Sequence, residues 1–107
     1  MIRLAVLLLL FPAPLVAQRS WCSNAPNGAT IRGRIEDFDH APIQSGLAVL
    51  RKLKCEALAD RQGNFVLTGV PAGRHDLIGA FIGYYRRDTT VVVGERDTLT
   101  IVFRLIR

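Results

Sequence analysis

The residues able to do chemistry in this chain are few. Two cysteines, Cys22 and Cys55, two histidines, His40 and His75, and an aromatic and basic run of Tyr84, Tyr85, Arg86 and Arg87 carry most of it. In an oxidising compartment an even pair of cysteines is most economically a disulfide. Two free thiols are one alternative. A zinc site is another, but without a Cys-x-x-Cys spacing it would have to gather both cysteines and both histidines from distant positions. Asp37, Asp39 and His40 put three metal-ligand types in one loop, without the spacing of a calcium loop, and read as a solvated turn. Tyr84 to Arg87 could stack on sugars or clamp acidic groups if a turn presents them. The competing reading packs Tyr84 on the end of a core and leaves the arginines in water. Trp21, beside Cys22, reads as packing or as a further sugar platform. No serine lies in a Gly-x-Ser-x-Gly elbow, and no helix holds two carboxylates at a defined spacing. No catalytic residue, cofactor or metal is expected.

The elements that must position these groups are organised around residues 60–73, Asp-Arg-Gln-Gly-Asn-Phe-Val-Leu-Thr-Gly-Val-Pro-Ala-Gly. Asp60 and Gly63 bracket a tight reversal, because Asp bonds its own backbone and Gly takes positive φ without a Cβ clash. Phe65 and Leu67 alternate with Asn64, Val66 and Thr68, the period of a half-buried strand. Gly69, Pro71 and Gly73 then swing the chain round, while Val70 plugs the core. Gly83 opens a later turn.

The rest of the chain reads as strands. Residues 30–36 alternate, with Ile31, Gly33 and Ile35 on one face and Arg32, Arg34 and Glu36 on a wet one. Residues 47–50 are continuously apolar, a short central strand whose inward face periodicity alone does not choose. Residues 55–59 follow as another short strand or as its continuation, and residues 74–82 make the next. Residues 83–88 turn the chain. Residues 89–93 are β-branched throughout and extended. Residues 98–106 point Leu99, Ile101, Phe103 and Leu105 inward. About seven short strands, turn signals every eight to twelve residues and no helical period predict an all-β, antiparallel β-sandwich.

Of the 107 residues, the first seventeen stand apart. Arg3, the apolar run of residues 4–11, Pro12 and Pro14, and a small residue at Ala17 make the pattern of a secretory signal peptide. Eight apolar residues span only ~12 Å of a ~30 Å hydrocarbon core, so no transmembrane segment is expected after cleavage. Arg19, Ser20 and Trp21 stand where a lipidation signal would need small residues. Residues 18–29 then read as an irregular lead-in to a domain at 30–107. An exported protein, periplasmic or extracellular, is expected.

Without residues 1–17 the chain carries thirteen basic against nine acidic side chains, a balance of +4. The basic residues are scattered along alternating strands, where they face solvent by default. A nucleic-acid groove would need them joined on one surface with aromatics between, so no nucleic-acid partner is expected.

Taken together, Gly33-Arg34-Ile35-Glu36-Asp37 with Pro42-Ile43, Asp60-Arg61-Gln62-Gly63-Asn64-Phe65-Val66-Leu67, Val70-Pro71-Ala72-Gly73 and Gly83-Tyr84 resemble the carboxypeptidase regulatory-like domain, a small prealbumin-like, carbohydrate-binding-like β-sandwich. The pieces come in that family's order and cover nearly all of the chain after the signal. The resemblance implies an extracytoplasmic accessory or scaffold module, and no activity. His75 departs from it, standing where an aromatic is expected.

Three functions compete. The first is a non-catalytic interaction or scaffold module meeting an unknown protein or glycan of the cell envelope, with the strand at 89–93 able to pair with another chain. Second is a carbohydrate-binding module using Tyr84, Tyr85, Arg86 and Arg87, with Trp21. Third is a small hydrolase related to transthyretin-like enzymes, which would need His40 or His75 beside a nucleophile. Against it, this chain ends Phe-Arg-Leu-Ile-Arg and lacks that enzyme's Tyr-Arg-Gly-Ser tail.

Overall fold

The computed structural model describes residues 19–23 and 25–107, with the side chains of Arg19, Ser20 and Trp21 outside that description. The expected signal peptide at 1–17 lies outside the described residues. Eight strands are found among those described: β1 (Arg19–Trp21), β2 (Ala29–Asp37), β3 (Leu47–Leu50), β4 (Cys55–Leu58), β5 (Asn64–Val70), β6 (Gly73–Ala80), β7 (Arg87–Val93) and β8 (Thr98–Leu105). They form two four-stranded sheets, ordered β1-β5-β2-β8 and β4-β3-β6-β7.

The two-layer all-β sandwich is as expected, and the finding inside it is the direction of two ladders. The second sheet is antiparallel throughout. In the first, β2 pairs antiparallel with β5, but β1 runs parallel to β5 and β8 parallel to β2. Parallel pairing needs strands far apart in sequence, so no local turn signal announces it. The lead-in is also more ordered than its composition suggests. Arg19–Trp21 adds an edge strand, and Cys22 N donates to Thr68 O at 2.7 Å to continue the pairing.

The turn at residue 60 forms by the means its residues suggest. One Asp60 carboxylate oxygen accepts from Gln62 N and Asn64 N, each at 2.9 Å, and Gly63 sits at φ +80°. A Cβ on Gly63 would also lie 2.5 Å from Ile35 O, so the turn nests against β2 with no room for a side chain. From there Phe65 and Leu67 enter the core at 1% and 0% exposure.

The core lies between the sheets and is filled by Ile31, Ile35, Ala48, Leu50, Phe65, Leu67, Leu77, Phe103 and Leu105. Ala48 and Leu50, not Leu47 and Val49, are the fully buried pair of β3. The two phenylalanines sit with ring centroids 6.3 Å apart, and each fills space left by a glycine, Phe65 beside Gly33 and Phe103 above Gly79. Cys22 and Cys55 form a disulfide with Cα atoms 5.2 Å apart. It joins the end of β1 in one sheet to the start of β4 in the other, closing one side of the sandwich.

Candidate functional site

Glu36, Asp37, His40, Tyr84 and Arg107 collect at one end of the sandwich, where β2 and β8 finish and the β6–β7 turn folds over them. This follows from register: Asp37 is level with Leu105 in the parallel ladder, and Tyr85 N donates to Ile106 O at 2.7 Å. A shallow depression of about 410 Å³ between them is lined by Asp37, Phe38, Asp39, Tyr84, Leu105, Ile106 and Arg107.

Glu36 is the buried charge of this end. It belongs to the face of β2 that alternation makes wet, yet it is only 6% exposed, because the loop after β2 folds back over it. That corrects the simple in-out reading of residues 30–36. Arg34 Nε donates to one carboxylate oxygen at 3.0 Å, while Arg104 Nε and Nη2 donate to the other at 3.2 Å. His40 Nδ1 lies 3.0 Å from that second oxygen. Since a carboxylate only accepts, Nδ1 carries the proton there, and its 3.2 Å approach to Arg104 Nη2 places two donors side by side without a bond. The His40 hydrogen bond holds the Glu36 carboxyl below the usual glutamate range; burial opposes it, and Arg34 and Arg104 add to it. Arg34 also donates to Gln62 O at 2.9 Å and His40 O at 3.1 Å. The cluster therefore staples two turns and two strands together. A carboxylate saturated with donors is a poor general base, so its chemistry is structural.

The acidic loop is a turn held by its own side chain. Asp37 Oδ1 accepts from Asp39 N at 2.8 Å and Ala41 N at 3.0 Å. His40, in the same loop, is turned onto Glu36.

The Tyr84, Tyr85, Arg86 and Arg87 run is not presented as one surface. Strand β6 stops at Ala80, and a turn closes from Tyr84 N to Phe81 O at 3.0 Å with Gly83 at φ +86°. Tyr84 packs on Phe81 with ring centroids 6.0 Å apart, and Arg107 Nε donates to its hydroxyl at 3.1 Å. The guanidinium carbon of Arg107 is 5.2 Å from the ring centroid, so with Nε on the hydroxyl this is an edge contact as much as a stack. Arg86 pairs with Asp88 at 3.3 Å, and Arg87 already belongs to β7, opposite Gly79. Tyr85 is left 73% exposed. The side chain of Trp21 lies outside the described residues.

His75, half-buried on β6, has Nε2 2.6 Å from Pro71 O, so it ties β6 to the turn that precedes it. The two histidines thus serve different ends of the molecule, one bonded to Glu36 and one to a backbone carbonyl. Among the described residues no three His, Cys, Asp or Glu side chains converge as metal ligands, and no helix is long and apolar enough to cross a membrane. Sequence reasoning missed the Glu36 cluster, whose one local signal is the Arg-x-Glu spacing of Arg34 and Glu36.

No family model matches the chain, and no curated protein matches it. Solved structures do. A chain of a type II cohesin–X-dockerin complex from Acetivibrio cellulolyticus aligns with TM-score 0.59 and 22% identity over 69% of this chain and 56% of its own. The major pilin subunit BcpA of Bacillus cereus aligns with TM-score 0.62 and 12% identity, over 75% of this chain and 30% of its own. Hydroxyquinol 1,2-dioxygenase from Pseudomonas putida aligns with TM-score 0.67 at 8% identity, over 91% of this chain and 63% of its own. This chain spans less than two thirds of each of those proteins. At such identities the likeness is one of fold alone, a β-sandwich of two facing sheets.

Proposed function

We propose that this chain is an exported, non-catalytic interaction or scaffold module of the carboxypeptidase regulatory-like type, delivered by a signal peptide at 1–17. The observation that carries the reading is the outer edge of β7, with which no other strand pairs among the described residues. It is the last strand of its sheet, pairs with β6 over seven residues without a bulge, and contains no proline or lysine. Natural edges are usually blunted by proline or charge; the charges of β7, Arg87 and Asp88, lie at its start, so residues 89–93 suit strand addition by a partner. Val92 stands 67% exposed on it. The disulfide fits an oxidising compartment. The pilin and cohesin-complex neighbours, which share the fold, give the interaction reading its company. Hydrolysis would need a histidine beside a nucleophile, whereas both histidines are engaged elsewhere.

The test is site-specific photo-crosslinking in the envelope of expressing cells from positions 90 and 92, with position 61 in the exposed turn as control. A discrete adduct from the strand positions, absent at position 61 and lost with Val92→Lys, supports the reading. Equal or no adducts at all three positions, or adducts indifferent to Val92→Lys, refute it.

The exposed ring of Tyr85 favours a second reading, carbohydrate binding from the β6–β7 segment. Glycan-array binding that disappears in Tyr85→Ala would support it, and silence of the unaltered protein would remove it.

A further inference from the structure

We propose that the outer edge of β7 pairs with the same edge of a second copy of this chain, antiparallel and centred on Val91. The inference rests on the interaction reading of that edge and names its partner. Charge selects a second copy. Arg86 is paired with Asp88 at 3.3 Å, and Asp97 Oδ2 accepts from Gly94 N at 2.7 Å. Arg87, which opens β7, and Glu95, just past its end, are both exposed and make no ion pair or side-chain hydrogen bond among the described residues. Val91 lies midway between them. Pairing two copies about Val91 therefore sets Arg87 of each level with Glu95 of the other, once at each end of the contact.

The alternation of the strand agrees with that register. Val91 and Val93 are buried on the core side, while Thr90 and Val92 are exposed on the outer face. About Val91, Val91 meets its own copy, Thr89 meets Val93 and Thr90 meets Val92. Core-side residues thus stand with core-side residues, and the N–H and C=O groups that alternate residues present to the edge face one another. The exposed Val92 gains a cross-strand threonine as neighbour. Other registers that keep the alternation fit less well. Centring on Thr90 sets Asp88 against Val92, and centring on Val92 sets Arg87 against Asp97, whose carboxylate already caps the turn at Gly94. Arg96 falls near Arg86 of the other copy, an arginine that Asp88 already matches, and its own backbone N is held by Asn27 O at 3.0 Å.

Arg87 also lines a cleft of about 140 Å³ between β7 and residues 101–104 of β8, the edge strand of the other sheet, so it stands on the side from which the copy approaches. The contact is isologous, and it closes as a dimer because each edge is used up by the other. An unrelated strand would have to carry a base and an acid at the same spacing to match it.

The test is sedimentation equilibrium of the protein, purified as exported from expressing cells, at about 100 µM, where a dissociation constant of ~10 µM or tighter gives mostly dimer. A dimer is expected. Arg87→Glu alone and Glu95→Arg alone each oppose like charges at both ends and should weaken it about tenfold or more, whereas the double reversal Arg87→Glu, Glu95→Arg restores it. Both side chains are exposed, so circular dichroism should show all three variants folded. A monomer at that concentration, a dimer indifferent to either single reversal, or one that the double reversal fails to restore overturns the proposal. The two readings fail separately. A monomer whose positions 90 and 92 still crosslink to a different protein in the envelope removes the second copy alone, and a monomer that yields no adduct removes both.

Discussion

Glu36 and Arg104 stand directly opposite one another in the parallel β2–β8 ladder, and the arginine grips one carboxylate oxygen with two nitrogens at 3.2 Å. The pair joins a strand near the start of the domain to the strand that ends it. Because Glu36 is buried while its partners remain partly in water, the cost of losing the carboxylate is mainly that of its charge-assisted hydrogen bonds, since water can reach the freed donors.

Glu36→Gln should therefore destabilise the protein by about 1–2 kcal/mol near neutral pH, read by urea unfolding. The sign of its pH dependence follows from the lowered carboxyl pKa. The folded protein binds that proton more weakly than the unfolded chain. The stability Glu36 contributes is thus fully present above the unfolded value of ~4.3 and is lost as pH falls through it towards the lower folded value. The difference between the two proteins should shrink over that acid window. A difference that stays constant from neutral pH down to about pH 2 would show that the carboxylate charge contributes nothing.

Gly79 faces Phe103 across the sandwich, and a Cβ there would lie 2.5 Å from the ring's Cγ. Gly79→Ala should cost about 1–3 kcal/mol through overpacking. In Phe103→Leu, which vacates part of that space, the same alanine should cost less. A double-mutant cycle of thermal or urea unfolding measures the coupling, and additive losses would mean the two positions do not meet.

Removing the Cys22–Cys55 bond with paired serines should lower stability by about 3–4 kcal/mol in the chain-entropy model for its sequence separation of 33. The expected companion is early loss of β1 and of the pairing of Cys22 with Thr68. Hydrogen exchange should show amides 20–22 opening first in the serine variant, with the β2–β8 ladder still protected.

In the residue-60 turn, Asp60→Ala removes the acceptor of two backbone N–H groups and should cost about 1–2 kcal/mol. Gly63→Ala should cost more, since the alanine meets both a left-handed φ of +80° and the carbonyl of Ile35. Equal losses from the two substitutions in urea unfolding would deny the close approach of turn to strand.

The elements legible in the sequence were those whose signals are local. Asp60 and Gly63 wrote their turn, and Phe65 and Leu67 their inward face, because hydrogen-bond reach and a period of two are properties of adjacent residues. Residues 83–88 were harder. The sequence grouped Tyr84, Tyr85, Arg86 and Arg87 by proximity along the chain, but the turn at Gly83 sends Tyr84 onto Phe81 and delivers Arg87 to β7. Glu36 was harder still, since its burial depends on Arg104 and on a loop that folds back, neither visible in alternation.

By itself, then, the sequence determined strand propensity, turn positions, the two-sided alternation and so an all-β sandwich, because these depend on backbone sterics and short-range burial. Only the tertiary structure decided that β8 lies parallel to β2, that Glu36 is buried between two arginines, and that Phe38, Tyr84 and Ile106 share one end. Each of those is a contact between residues distant along the chain, and its energy exists only once the sheets have closed.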